Sequence, residues 1–190
     1  MNLLAVDATG DALSVAVERK GKVYRVSRRA AAGHEDHLWP AVDAALKKAK
    51  LALKDLNAVV AASGPGRFTG IRIGLSFAST LGYALKIPAV AISRLEAEAE
   101  RREGAVVTGV LPGWKGEVYH QRFRRAKDGA LKAAGKAEWT APEAWTGQKD
   151  LRETTAEDLL PAARRALKAR RFPPFEPFYL KPAGYEKNRR

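Results

Sequence analysis

Few groups in this 190-residue chain could do chemistry, and their spacing narrows the choice further. There is no cysteine, so disulfides, thiolate metal sites and thiol nucleophiles are excluded. Asp7 and Thr9 stand at the end of an apolar run, Leu3-Leu4-Ala5-Val6; Asp7 is the acidic residue best placed for a site, and equally an ordinary turn residue. The loop Ser63-Gly64-Pro65-Gly66-Arg67-Phe68-Thr69-Gly70 leads into an apolar stretch, where bare backbone and a helix N-terminus could receive a phosphate. Its glycines do not fit the known fingerprints. Gly64-x-Gly66-x-x-x-Gly70 is one residue too long for a dinucleotide turn, and Gly70-Ile71-Arg72 is no Gly-Lys-Ser/Thr. A tight strand-to-helix corner capped by Thr69 is the favoured reading, a bound anion the other. His34 and His37 have a ligand's spacing, but zinc needs more, and His120 is the third histidine. Glu35 and Asp36 between them suit a helix start, which is the reading preferred over a metal. Neither a nucleophile elbow nor a carboxylate pair with an acid–base partner is present.

The elements that must hold these residues alternate between strand and helix patterns. Residues 2–8, 12–18 and 22–29 predict three antiparallel strands, with Lys20-Gly21 in a hairpin turn. A helix is expected from Gly33 to Lys50, with Leu38 and Val42 on its buried face. Ala58–Ala62 and Ala89–Ile92 read as buried strands on either side of the helix that ends at Lys86, a unit that lays down parallel sheet. That helix carries Ile71, Ile73, Leu75, Phe77, Leu81, Tyr83 and Leu85 around its whole circumference. Gly74, Ala78 and Gly82 add a ridge of small residues, so the expectation is a partner helix packed against it. After a charged helix over 93–103, strands at 105–111 and 117–125 open a second lobe, and an amphipathic helix covers 155–171. Arg164, Arg165 and Arg171 are expected outward, and the proline-rich tail is expected to be irregular and mobile at its end. The resulting division is residues 1–103 and 104–190.

The net charge is +13, with most of the excess after residue 100, so nucleic acid or an acidic protein is a candidate partner. No run is apolar enough to span a membrane and no basic segment with a cleavage site precedes Asp7. The expectation is a cytoplasmic protein without a signal peptide.

Three antiparallel strands with an Asp–Thr turn resemble the opening of sugar kinases, actin and the heat-shock ATPases, where that turn grips phosphate and its metal. Here the glycine-rich phosphate hairpin that should follow is missing. Several stretches together resemble the bacterial TsaB (YeaZ) proteins of tRNA threonylcarbamoyladenosine synthesis. They are Leu3-Leu-Ala-Val-Asp7-Ala-Thr9, Ser14-Val-Ala-Val17, His34 six residues before Pro40, and Ser63-Gly-Pro-Gly-Arg-Phe-Thr-Gly-Ile-Arg-Ile-Gly74. Gly116-Glu-Val-Tyr119 and Pro177-Phe-Tyr-Leu-Lys181 are similar to that family's later segments. The resemblance is close over 1–100 and loose beyond. It implies an α/β, actin-like fold of two lobes, the second short, without catalytic apparatus, and no cofactor or metal bound by this chain alone. It implies partnership with a TsaD-type subunit, which carries the metal and transfers threonylcarbamoyl to tRNA, and with a TsaE-type ATPase. The resemblance also implies dimers through first-lobe helices, with TsaD or with a second copy, and the expected interface is Ile71, Gly74, Leu75, Ala78, Gly82, Leu38 and Val42. The loop Gly64 to Gly70 becomes a signature loop, and Asp7 with Thr9 a vestigial phosphate turn. Arg67, Pro112-Gly113-Trp114-Lys115 and the short basic second lobe depart from the family pattern. The basic lobe makes tRNA contact a further expectation. A small actin-like phosphotransferase and a glycoprotease-like peptidase are the alternatives.

Overall fold

Alternation along the first strand sets the architecture. In β1 (Asn2–Asp7), Leu4 and Val6 enter one hydrophobic core while Leu3 and Ala5 enter another, so the strand is buried on both faces. The computed structural model describes residues 1–29, 33–148 and 151–181. β2 (Ala12–Arg19) and β3 (Lys22–Arg29) continue antiparallel from β1, joined by the Lys20-Gly21 turn. β4 (Ala58–Gly64) pairs parallel with β1, and β5 (Ala89–Ser93) parallel with β4, giving the order β3-β2-β1-β4-β5.

Helices α1 (His34–Ala49) and α2 (Phe68–Leu85) cover one face of this sheet. The other face is covered by residues 156–163, a single 3-10 turn running into α4 (Leu160–Ala169), and by Ala97 of the short helix α3 (Arg94–Ala99). The expected cut after Glu103 therefore separates the two sheets but not the packing, because α4 returns to the first sheet. The second sheet has β7 (Val118–Arg125) at its centre, between β6 (Val106–Pro112) and the short strands β8 (Leu131–Ala133) and β9 (Glu138–Thr140). Its inner face, with Val107, Leu111, Tyr119 and Phe123, packs on Leu95 and Ala99 of α3.

Two expectations are corrected by this packing. The ridge of α2 faces the protein's own sheet: Ala78 is fully buried, and a Cβ on Gly74 would point at Ala61 and Val6. Gly82 sits against Ile87 and Ala89, and Ile71 and Leu75 are core residues, as are Leu38 and Val42 of α1. Small residues let a helix approach a sheet as closely as another helix, and the sheet takes them here. Nor is α2 apolar all round, since Arg72, Ser76, Ser79, Thr80 and Tyr83 form an exposed stripe. On α4 and just past its end, Arg164 and Arg171 are exposed as expected and Arg165 is half-buried; Arg164 bonds Glu18 at 2.8 Å and Arg165 pairs with Glu100. Between α3 and α4, burial pushes the Glu96 carboxyl up from 4.5 to about 7, with Arg165 drawing it partly back; burial in turn lowers Arg165, which Glu96 partly offsets.

The tail is ordered further than its prolines suggest. Phe178 N–H donates to Ser63 O at 2.7 Å, and Tyr179 stacks on Phe68. Lys181 bonds Glu117 at 2.6 Å and sits over Trp139. The last residues, 182–190, for which mobility was expected, lie outside the described residues.

Candidate functional site

The carboxyl ends of β1, β4 and β5 meet where ligands enter open α/β sheets. Asp7 closes β1, the loop 64–67 follows β4, and Arg94 follows β5. Residues 153 and 154 form a strap across the top, Glu153 against Arg94 and Thr154 against both Arg94 and Asp7. Asp7 and Arg94 are each 2% exposed.

Every oxygen of the Asp7 carboxylate is engaged. Oδ1 accepts from the Thr9 backbone N–H at 2.9 Å and from the Thr9 hydroxyl at 2.5 Å. Oδ2 accepts from the Thr154 hydroxyl at 3.1 Å and faces Arg94 Nε at 3.5 Å. Arg94 Nε donates to the same Thr154 hydroxyl at 2.7 Å, so this hydroxyl relays between cation and anion. Arg94 also donates to Pro65 O at 2.7 Å and pairs with Glu153. Its side chain thus ties the end of β1, the glycine loop and the strap into one network.

The glycines are explained by the same crowding. A Cβ on Gly66 would come within 2.7 Å of Thr9 O, and one on Gly64 within 2.6 Å of Phe178 O. On Gly70 it would collide with the Ala8 carbonyl. Gly64 also has φ +112°, which suits glycine alone. The close approaches are to the chain itself, which favours the tight corner over a bound anion. Helix α2 begins at Phe68, so Arg67 and not Thr69 is the residue at its cap, and Arg67 N–H donates to Thr9 O at 2.8 Å. The Arg67 side chain pairs with Asp11, and Phe68 holds Arg72 over its ring.

The histidines do not gather. His34 is buried with Nδ1 3.1 Å from Ala8 O, whereas His120, on β7, is 2.8 Å from the Thr140 hydroxyl. Among the described residues no three His, Asp or Glu are placed to hold a metal, and no helix is long and apolar enough to cross a membrane.

Arg94, Glu153 and Thr154 are the members of the site that sequence reasoning missed. A signal for Arg94 was present: a cation directly after a buried strand, at the end where sites form. Thr154 is joined to Asp7 across most of the chain, with no local pattern to mark it.

The fold and this closed crevice define a two-lobed, actin-like α/β protein. Residues 25–169 match the family described as TsaD: tRNA N6-adenosine threonylcarbamoyltransferase. The "tRNA threonylcarbamoyladenosine biosynthesis protein TsaB" of Buchnera aphidicola (from Schizaphis graminum) is 41% identical over 99 residues, 52% of this chain and 47% of that protein. The Escherichia coli protein of the same name is 32% identical over 133 residues, 68% of this chain and 58% of its own. A solved structure of YeaZ from Pseudomonas aeruginosa superposes with a TM-score of 0.76 at 27% identity, over 94% of this chain and 99% of that one. The chain belongs to the TsaB/YeaZ family within that wider group. The aligned region spans 47% and 58% of the length of the two TsaB relatives.

Proposed function

We propose that the chain is a non-catalytic subunit of the machinery that makes N6-threonylcarbamoyladenosine in tRNA, a cytoplasmic partner of a TsaD-type subunit. The observation that carries this reading is the closed crevice. Asp7, the acidic residue an actin-like phosphotransferase would use, is engaged on both oxygens by Thr9, Thr154 and Arg94. A nucleotide would have to displace a buried guanidinium to reach it, so the chain alone holds no nucleotide and no metal. For the peptidase alternative, the Thr140 hydroxyl stands 2.8 Å from His120, but among the described residues no third group hydrogen-bonds that imidazole to orient it as a base.

Association uses the outside of the α1–α2 layer. Trp39, leaning on Phe77, is 53% exposed and Tyr83 is 89% exposed, which is costly for aromatic side chains unless a partner covers them. A TsaE-type ATPase completes the complex, and a homodimer through the same layer is the resting form.

The test is co-expression with the TsaD-type subunit of the same organism, followed by size-exclusion chromatography and mass spectrometry of the tRNA nucleosides. Co-elution and chain-dependent modification are expected. Trp39→Asp with Tyr83→Asp should abolish co-elution while circular dichroism is unchanged. Turnover of ATP by the isolated chain, lost in Asp7→Ala, would overturn the assignment.

A further inference from the structure

Side chains alternate along β7: Tyr119 and Phe123 turn inward to α3, so Arg122 and Arg124 turn outward. Register adds a third cation, because Lys132 of β8 stands directly opposite Arg124. All three are exposed, and none of their side chains makes a hydrogen bond or ion pair among the described residues. That sets them apart from Arg25, Arg101, Arg102, Arg125, Arg152, Arg164 and Arg165, each held by a carboxylate. Part of the +13 excess therefore stands uncompensated on this sheet face.

We propose that the outer face of the second sheet, built on Arg122, Arg124 and Lys132, docks the phosphodiester backbone of RNA. Like charges directly opposite across two strands destabilise a sheet. A polyanion laid over Arg124 and Lys132 removes that repulsion. Arg122 and Arg124 are two strand residues apart, about 7 Å, and the Lys132 backbone lies about 5 Å from that of Arg124. These intervals are of the order of the phosphate repeat of a nucleic-acid strand. Thr108, opposite Arg122 on β6, offers a hydroxyl in the same row, and Lys127 in the β7–β8 turn is exposed. The other end of the face is different in character: Trp145 lies over His120, and Glu138 stands across from it. The cationic end thus presents charge without an aromatic platform, which suits backbone contact and not base reading.

This contact lies within the tRNA-modifying role proposed above and rests on it for the choice of RNA. Binding of fluorescently labelled unmodified tRNA to the full chain is measured by anisotropy over a salt series. Three proteins are compared: the wild type, the Arg122→Ala, Arg124→Ala, Lys132→Ala triple, and a control, Lys20→Gln, Lys54→Gln, Lys86→Gln, that removes equal charge elsewhere. Near 0.1 M salt the first triple should bind at least about tenfold more weakly, with the log–log salt slope reduced by about 2–3. The control should weaken binding by less than about threefold. Equal losses in the two triples, or no loss in the first, overturn the proposal, as does polyglutamate competing as well as tRNA. Nucleoside analysis separates this result from the role itself. If the chain is needed for modification but the triple binds tRNA normally, the surface alone is wrong; if binding fails only in the triple while modification proceeds without the chain, the surface stands and the role is wrong.

Discussion

Replacing Arg94 by methionine should destabilise the protein through Asp7. The variant keeps most of the side-chain volume but withdraws the cation 3.5 Å from Asp7 Oδ2 and the donors to Thr154 and Pro65 O. Removing one member of a buried ion pair costs about 3–5 kcal/mol, chiefly because the other charge is left without compensation. Asp7 retains two hydrogen bonds from Thr9 and one from Thr154, which places the expectation at the low end, about 3 kcal/mol. For a protein of this size each kcal/mol moves Tm by about 2–4 °C, so calorimetry should show a fall of about 6–12 °C. Two further variants isolate the cause. Glu153→Gln should shift Tm by less than about 2 °C, because that carboxylate is half exposed and screened. Asp7→Asn combined with Arg94→Met should recover at least half the loss, since no buried charge remains. A Tm for Arg94→Met within about 2 °C of wild type, or strictly additive losses in the double variant, would refute the network as described.

Two other outcomes follow from the packing. Ala78→Arg should give an insoluble or molten chain and not a folded monomer, because the side chain would be driven into the sheet at a cost above about 3 kcal/mol; a cooperative melt near that of wild type would contradict this placement. Glu96 holds its proton in the fold up to about pH 7 but releases it near 4.5 when unfolded, so its contribution to stability falls as pH rises through that window. Glu96→Gln should therefore be more stable than wild type at pH 8, by up to about 3 kcal/mol in urea melts, with the difference vanishing below pH 4.5; parallel pH profiles would show that Glu96 is not the source.

Much of the fold was legible because the strands carry their own pattern. Leu3 to Val6, Ala58 to Ala62 and Ala89 to Ile92 are continuous apolar runs, and each is a buried strand of the first sheet. The family was legible in the loop Ser63–Gly74. What the loop's glycines approach was not, since a bare backbone suits a phosphate as well as Thr9 O or Phe178 O. The same ambiguity misplaced the α2 ridge: spacing shows that Gly74, Ala78 and Gly82 share a face, not whether sheet or helix lies beneath. The polar stripe Arg72, Ser76, Ser79, Thr80 was in plain view and marks the exposed side. Arg94 was hidden for a different reason. Burial of an arginine depends on partners remote in sequence, and no local period reports them.

The docked tail has a mechanical consequence. Between Phe178 and Lys181 it touches the loop after β4 through Ser63, helix α2 through Phe68 and Arg72, and the second sheet through Glu117 and Trp139. Arg94 and its strap make a second tie across the carboxyl ends of the first sheet. Enzymes that open and close around a ligand need a hinge left free to swing. Here both ties bridge the two sheets or the loops between them, so any swing of one sheet against the other must first break the Lys181–Glu117 and Phe178–Ser63 bonds.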